Sequence, residues 1–170
     1  GDVYKRQVFY GNSNVIYKEK ILYKRMPTNK YQDILKYFIF FHPDSIISLK
    51  AQKIIGLFDT KFKIAADYDN FIRAYLYGFK FKKIDKFIVN YRLGGISQNF
   101  KRAFVDHLMI FKKYNFKLDY SFLLIAIFAF LRTYIKRLLN LNEDSNLLYY
   151  YRKLKFKLFK NYLECKTVHI

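Results

Sequence analysis

The sequence predicts an α/β domain over roughly the first hundred residues, followed by an all-helical extension. Up to residue 99, short runs rich in aromatic and β-branched residues alternate with helical segments that end at glycine. From residue 100 onward, apolar residues recur at helical spacing, as at Phe104, Leu108 and Phe111. The chain has 170 residues, of which 52% are hydrophobic and 21% aromatic, so it is long and apolar enough to fold around a packed core.

The first elements are predicted from local pattern. The segment "VFYGNSNVIYKEKILYK" predicts two short extended segments around Gly11-Asn12, a pair that favours turns. Residues 28–41 carry apolar side chains at helical spacing, which predicts a helix with Thr28 as its N-cap and Pro43 beyond its end. The segment "SIISL" then predicts a short buried strand.

The middle of the chain predicts two more helices and two more strands. "KAQKIIG" is a short helix stopped by Gly56, and "DYDNFIRAYLYG" is a helix of about three turns closed by Gly78, with a loop between them. "FKFKKID" and "KFIVNYRL" are predicted strands. A flexible loop, "GGIS", follows at residues 94–97.

The helical extension carries no catalytic motif, and its isolated His107 is expected to pack beside a core face. Residues 120–140 predict a long helix, apolar at first and then basic, and residues 146–163 predict a last amphipathic helix. The apolar run at 122–131 is about half the length that crosses a bilayer. Its basic flanks suit a helix lying in a membrane interface, and the alternative is burial against the domain or in a dimer.

The composition of the chain indicates which binding partners and which cellular compartment to expect. The formal net charge of +19 predicts an anionic partner, namely nucleic acid, an acidic membrane or a phosphorylated substrate. The alternative is a codon bias, because Lys, Asn, Ile, Phe and Tyr all have A/T-rich codons. The single Cys165 excludes an intramolecular disulfide and fits a reducing cytosol, and no Cys/His cluster has zinc spacing.

The opening "GDVYKRQ" is expected not to be natural protein. Back-translated, Asp2 to Gln7 can be written GATGTGTATAAGAGACAG, which matches a transposon-end adapter used in preparing sequencing libraries. We therefore expect residues 1–7 to be a scar that plays no part in the fold. On this reading the natural protein was cut, and its N-terminal part precedes Val8.

Two aspartates one residue apart open the helix of "KIAADYDNFIRAYLYG". Asp67 and Asp69 are both well placed to cap this helix and to favour the positive end of its dipole. One of them could instead act as a catalytic base, provided that a substrate proton comes within hydrogen-bond reach. Metal binding is a third possibility, although no third ligand lies nearby in the sequence.

The order of elements over residues 41–97 resembles the C-terminal half of the family-2 inverting glycosyltransferases, which have the GT-A fold and a mixed sheet. The resemblance rests on a strand, a short helix ending in "GLFD", a loop, "ADYDNFIR" opening a helix, "GFK", and a tyrosine-arginine before "GGIS". It covers 57 of the 170 residues continuously and extends more weakly to "VFYGN". The similar family members act on lipid-linked or cell-surface polysaccharides.

The resemblance assigns roles on the acceptor side. Asp67 falls where the family has its catalytic base, and Asp69 is a supporting residue that caps the helix. Arg73 matches an arginine of that helix, with either a site role or a structural pairing with Asp69 at i,i+4. His42 matches a position lined against the acceptor, or else it is part of a plain strand entry. Ala66 departs from the glutamate that the family often has before the base.

The resemblance also implies a mobile loop that closes over the donor diphosphate. Its residues are Tyr91, Arg92, Gly94, Gly95 and Ser97. A guanidinium suits a diphosphate through charge-assisted hydrogen bonds. The alternative is a surface turn after an edge strand.

We therefore expect three segments in the chain, and the resemblance implies one activity. Residues 1–7 are the scar, 8–99 the acceptor-side half of the domain, and 100–170 the basic helical extension. The donor-binding half, with its D-x-D and its divalent metal (Mg or Mn), is expected in the parent and not in this chain, so the fragment alone is expected to be inactive. We expect a bacterial, cytoplasmic enzyme of cell-envelope polysaccharide biosynthesis, peripheral on the inner face of the membrane, using a nucleotide-sugar donor.

Two non-enzymatic functions remain as alternatives. Interleaved aromatic and basic residues, as in "YYYRKLKFKLFK", could stack on bases and contact phosphates, although no known nucleic-acid motif is present. The other alternative is a peripheral membrane-interaction domain without chemistry.

Overall fold

The computed structural model describes residues 6–17, 19–27, 29–35, 42–92 and 99–117, together with seven residues further on, at 127, 130, 131, 133, 134, 137 and 138. Two compact units divide the chain, Gly1–Lys117 and Leu118–Ile170. In the second unit the seven described residues are all helical and exposed. The predicted helix at 146–163 and the predicted N-cap at Thr28 lie outside the described residues.

The first unit is built from strands and helices, as the sequence predicts for an α/β domain. Its described strands are β1 (Gln7–Tyr17), β2 (Lys20–Arg25), β3 (Ser45–Ile47) and β4 (Lys80–Arg92). Its described α-helices are α1 (Leu49–Ile55), α2 (Ala66–Leu76) and α3 (Phe100–Lys113). Two 3-10 helices cover Tyr31–Leu35 and His42–Asp44. The first helix of the predicted extension, α3, therefore belongs to the first unit.

The four strands form one mixed sheet around β1. Strand β4 runs parallel to β1, from Gln7 opposite Lys80 to Ile16 opposite Arg92. The prediction that residues 1–7 play no part in the fold is therefore wrong for its last two residues, since Gln7 is buried in the sheet and the carbonyl oxygen of Arg6 accepts from the N–H of Lys80. Strands β2 and β3 are both antiparallel to β1 and pair with its second and first halves, respectively. Because a strand has only two edges, β2 and β3 lie end to end along the edge of β1 that faces away from β4.

The prediction of two segments and a turn around Gly11-Asn12 is wrong. Strand β1 runs straight through this pair, and the chain turns instead at Glu19, whose φ of 62° is left-handed. Gly11 is needed for close approach, since a Cβ there would lie 3.0 Å from both the Ile88 side chain and the carbonyl oxygen of Lys86. The glycine thus lets β4 pass close to the central strand.

Strand β4 replaces the two separate strands that the sequence predicts at 79–85 and 86–93. It is one strand of 13 residues, but its register against β1 shifts between Tyr10 and Ser13. Lys83 pairs with Tyr10 and Phe87 with Asn12, so β4 uses extra residues in this region. The predicted break at Asp85 and Lys86 therefore corresponds to an irregularity within one strand.

Helices α1 and α2 form where the sequence predicts them, and both are followed by a left-handed glycine. Gly56 follows α1 with a φ of 91°, and Gly78 follows the C-cap of α2 with a φ of 75°. Both values lie in the region where a side chain is disfavoured. Ser48 caps α1 by accepting a hydrogen bond from the N–H of Ala51, at 3.1 Å.

Two local predictions fail in the segment between β2 and α1. The described part of the predicted helix at 28–41 is a 3-10 turn, and Pro43 lies inside a second one, as suits short connectors. Strand β3 is not buried, because Ile46 is 52% exposed and its neighbours are half-buried. A strand of three residues that pairs with one end of β1 is too short to be covered on both faces.

The core lies between the sheet and α2. Strand β1 contributes Val8, Tyr10 and Val15, each fully buried. Helix α2 contributes Tyr68, Phe71, Ile72 and Ala74, all with at most 1% exposure. Helix α3 was expected to present Phe104, Leu108 and Phe111, but its buried residues are Asp106, Ile110 and Phe111. The presence of a buried acid on α3 determines the geometry at the start of α2.

Candidate active site

The beginning of α2 holds two aspartates in very different environments. Asp69 is fully buried and its carboxylate is completely engaged. One oxygen accepts from Arg73 Nε at 3.1 Å, and the other accepts from Lys113 Nζ at 2.6 Å and from the Tyr114 hydroxyl at 2.8 Å. Burial, followed by the bond to Asp69, raises the pKa of Tyr114, so this hydroxyl stays protonated and donates. Asp69 therefore ties α2 to the end of α3.

The predicted pairing of Asp69 with Arg73 is confirmed, and the arginine does more than pair. Its two terminal nitrogens donate to the carbonyl oxygens of Ile55 and Leu57, each at 2.8 Å. Ile55 is the last residue of α1, where helical carbonyls lack partners within the helix, and Leu57 lies two residues beyond it. Arg73 thus joins α1, α2 and the loop between them.

The prediction that Asp69 caps α2 is wrong. The N-cap residue is Ala65, which makes no side-chain cap hydrogen bond, and the Asp69 carboxylate accepts from Arg73, Lys113 and Tyr114 instead. Asp106 of α3 holds the two residues just before the helix, since its Oδ2 accepts from the N–H of Ile64 at 2.6 Å and of Ala65 at 3.1 Å. A buried carboxylate from another helix therefore fixes the chain entering α2, while within the first turn the N–H of Tyr68 donates to Asp67.

Asp67 differs from Asp69 in both exposure and partners. It is half-buried, and the N–H of Tyr68 donates to its Oδ1 at 2.8 Å. Among the described residues, no side chain donates a hydrogen bond to it. Burial raises the pKa of the Asp67 carboxyl, while main-chain N–H groups and the nearby imidazoles of His42 and His107 act in the opposite direction. A half-buried carboxylate with a raised pKa and an uncommitted oxygen can accept a proton.

Two imidazoles flank Asp67 from different elements. His42 lies in the 3-10 helix before β3, and its ring centroid is 6.0 Å from that of Phe71, one turn along α2 from Asp67. His107 stacks on Tyr68 with a centroid distance of 5.3 Å, as expected for a residue packed beside the core. Its Nδ1 lies 2.7 Å from the Ala103 carbonyl oxygen, so Nδ1 carries the hydrogen.

The described part of the predicted loop lies at the end of β4. Tyr91 is half-buried opposite Val15, and Arg92 is exposed, with its NH2 3.6 Å from Glu19 Oε2. Gly94, Gly95 and Ser97 lie outside the described residues. Among the residues that are described, no hydrogen bond or ion pair joins Arg92 to Asp67.

The sheet register shows which end of the domain Arg92 occupies. Asp44, two residues after His42, accepts a hydrogen bond from Ser13, and Ser13 pairs with Val89. Arg92 is three residues further along β4, about 10 Å at the rise of a strand. His42 and Arg92 thus lie towards the same end of the sheet.

The residues that the sequence did not reveal as part of this site are Asp106, His107, Lys113 and Tyr114. All four belong to α3 or follow it directly. The spacing of Asp106, Ile110 and Lys113 places an acid, an apolar residue and a base on one helical stripe. A buried acid in such a stripe is the sequence signal that could have predicted a polar contact with α2.

The chain was also compared with known proteins, and its described residues were searched for metal sites and membrane-spanning helices. Comparison of the chain with protein-family models, curated proteins and solved structures finds no match. In the described ranges, no group of three His, Cys, Asp or Glu side chains could hold a metal ion. None of the described helical segments is long and apolar enough to cross a membrane.

Proposed function

We propose that the chain is the acceptor-side part of an inverting family-2 glycosyltransferase with the GT-A fold, and that Asp67 is its general base. The observation that carries the proposal is the contrast between the two aspartates. Asp69 is buried and fixed by three donors, whereas Asp67 has a raised pKa and only main-chain donors among the described residues. The resemblance over residues 41–97 assigns the base to the aspartate that has these properties.

The proposed reaction requires one proton transfer at Asp67. The acceptor hydroxyl gives its proton to the carboxylate as its oxygen attacks the anomeric carbon of the donor sugar. The bond from that carbon to the diphosphate oxygen breaks, and the electron pair leaves with the nucleoside diphosphate. Because attack and departure occur on opposite faces, the configuration inverts.

His42 and His107 support this role for Asp67 by their positions. Both imidazoles lie close enough to lower the pKa of the carboxyl, and they oppose the effect of burial. His42 comes from the element before β3 and is exposed, which suits the predicted contact with an acceptor. His107 is half-buried on Tyr68 and is better suited to holding the start of α2 in place.

Among the described residues of this chain, no set of side chains could bind the divalent metal that is expected in the parent enzyme. The pair Asp67-x-Asp69 does not serve, since Lys113 and Arg73 already neutralise Asp69 at 2.6 and 3.1 Å. We assign the metal to no residue here, and no step of the proposal passes through it. Arg92, with its exposed guanidinium, is the proposed contact of this chain with the donor diphosphate, together with Tyr91 and the loop at 94–97.

The parent enzyme is proposed to act in the bacterial cytoplasm, at the inner face of the membrane. Its partners are a nucleotide-sugar donor and a glycan or lipid-linked acceptor. The formal charge of +19 supports an anionic surface or substrate, and it fits this location.

The test is sugar transfer by the full-length parent carrying Asp67→Asn. We expect the release of nucleoside diphosphate from a panel of UDP-, GDP- and dTDP-sugars, with membrane extract as acceptor, to fall by about 10²–10⁴-fold. Binding of the matching nucleoside diphosphate, measured by calorimetry, should stay unchanged. Transfer within a few-fold of the wild type would contradict the role of Asp67.

A further inference from the structure

Exposed apolar side chains and lysines alternate on the outer face of α1 and continue into the loop that follows. Ala51 and Ile55 of this helix face the core and are buried. The apolar side chains are exposed by 71% at Leu49, 44% at Ile54, 88% at Leu57 and 42% at Phe58. Lys50 and Lys53 lie between them and are also exposed. We call these six residues the α1 patch.

The main chain that carries the α1 patch is held firmly, so its exposure is part of the fold. Arg73 donates to the carbonyl oxygens of Ile55 and Leu57. The carbonyl oxygen of Gly56 accepts from Gln52 at 2.7 Å and from Asn70 at 3.3 Å. Three consecutive carbonyls are thus fixed by polar side chains of α1 and α2, and the fixed main chain leaves Leu57 pointing outward.

The chemistry of the α1 patch fits the surface of an anionic bilayer. Over residues 49–63 there are four lysines and one acid, Asp59. That acid is already engaged by the N–H of Lys61 and by Lys113, so it does little to offset the lysines. Apolar side chains enter the acyl boundary, while lysines beside them meet anionic headgroups. A nucleic-acid backbone would use the lysines but would leave four large apolar side chains in water.

We propose that the α1 patch docks the protein on an anionic lipid surface. The patch lies beside the candidate active site, because the Phe58 ring is 5.8 Å from the His42 ring. Docking there brings the headgroup layer next to the group that flanks Asp67. If the proposed function is right, on which this step rests, the acceptor belongs to the class of lipid-linked glycans.

The experiment measures binding of the full chain to vesicles of phosphatidylglycerol and phosphatidylcholine, in a ratio of about 3:7, and to phosphatidylcholine alone. The test variant is Leu49→Gln with Leu57→Gln, which changes only exposed side chains and should leave far-UV circular dichroism unchanged. The matched control is Ile21→Gln with Leu76→Gln, exposed by 53% and 54% but outside the α1 patch.

We expect the test variant to partition to the anionic vesicles about tenfold more weakly than the wild type, and the control to stay within about twofold. Replacing Lys50 and Lys53 by Gln should also weaken binding, and should reduce its dependence on phosphatidylglycerol. The readout needs no sugar transfer, so it succeeds or fails independently of the role of Asp67.

Two results would overturn the assignment. Equal partitioning of the test and control variants would show that the α1 patch does not meet the bilayer. A wild-type dimer in sedimentation velocity that becomes a monomer in the test variant would show that a second copy covers the patch.

Discussion

Replacing Asp69 by Asn should destabilise the first unit strongly, although this residue is proposed to play no part in the chemistry. The substitution removes the negative charge from a fully buried site and leaves Arg73 and Lys113 without their shared partner. The Tyr114 hydroxyl also loses a charged acceptor. The contact between α2 and the end of α3 is therefore disrupted at its centre.

The expected loss in the free energy of unfolding depends on how exposed Arg73 and Lys113 are. Removing one member of a buried ion pair costs about 3–5 kcal/mol, because the other charge is left buried. Here the side chains of Arg73 and Lys113 keep 18% and 36% exposure, so water can solvate part of their charge, and Lys113 keeps Asp59 as a partner at 3.3 Å. We expect a loss at the lower end of this range, about 3 kcal/mol in the free energy of unfolding.

Urea unfolding of the full chain, followed by far-UV circular dichroism, measures this loss. With an m-value of about 1.5 kcal/mol/M, the midpoint should fall by about 2 M. The control is Asp85→Asn, whose carboxylate is 80% exposed and pairs with Lys83 at 2.8 Å, and which should change stability by less than about 1 kcal/mol. A midpoint for the Asp69 variant equal to that of the control would refute the reasoning.

Two further substitutions test the start of α2. Asp67→Asn should raise the melting temperature at neutral pH. Burial raises the folded-state pKa of Asp67, so the ionised carboxylate destabilises the fold as pH rises through that pKa. The higher melting temperature of the variant should therefore disappear in acid, where the wild-type carboxyl is protonated. A variant that melts lower than the wild type at neutral pH would contradict this. Asp106→Ala should cost about 2 kcal/mol in the free energy of unfolding, because the N–H groups of Ile64 and Ala65 lose a buried acceptor. Amide exchange at these two residues should become faster, and unchanged exchange there would argue against the two hydrogen bonds.

Helix ends were predictable from the sequence because their cause is local. Gly56 and Gly78 adopt left-handed φ values of 91° and 75° directly after their helices, and no distant residue is needed to explain them. Gly11 carries the same local signal but serves a different purpose. It makes room for Lys86 and Ile88, which lie some 75 residues further along the chain. Local propensity therefore predicted a turn where the fold has a central strand.

The candidate site shows the same division between local and distant causes. The i,i+4 pair of Asp69 and Arg73 could be predicted from spacing. The contacts of Asp69 with Lys113 and Tyr114 span 44 and 45 residues, and those of Asp106 with the start of α2 span 41 and 42. Sequence pattern alone predicts the same capping role for both first-turn aspartates. Their different surroundings come from residues of α3 and the residue after it, which contact Asp69 through Lys113 and Tyr114.

The most direct test of the central claim measures sugar transfer and stability together on Asp67→Asn and Asp69→Asn of the full-length parent. We predict that the Asp67 variant folds at least as stably as the wild type and fails to transfer sugar. The Asp69 variant should unfold at lower urea yet retain measurable transfer while it is folded. Transfer retained by the Asp67 variant, with stability lost, would contradict the assignment of the general base to Asp67.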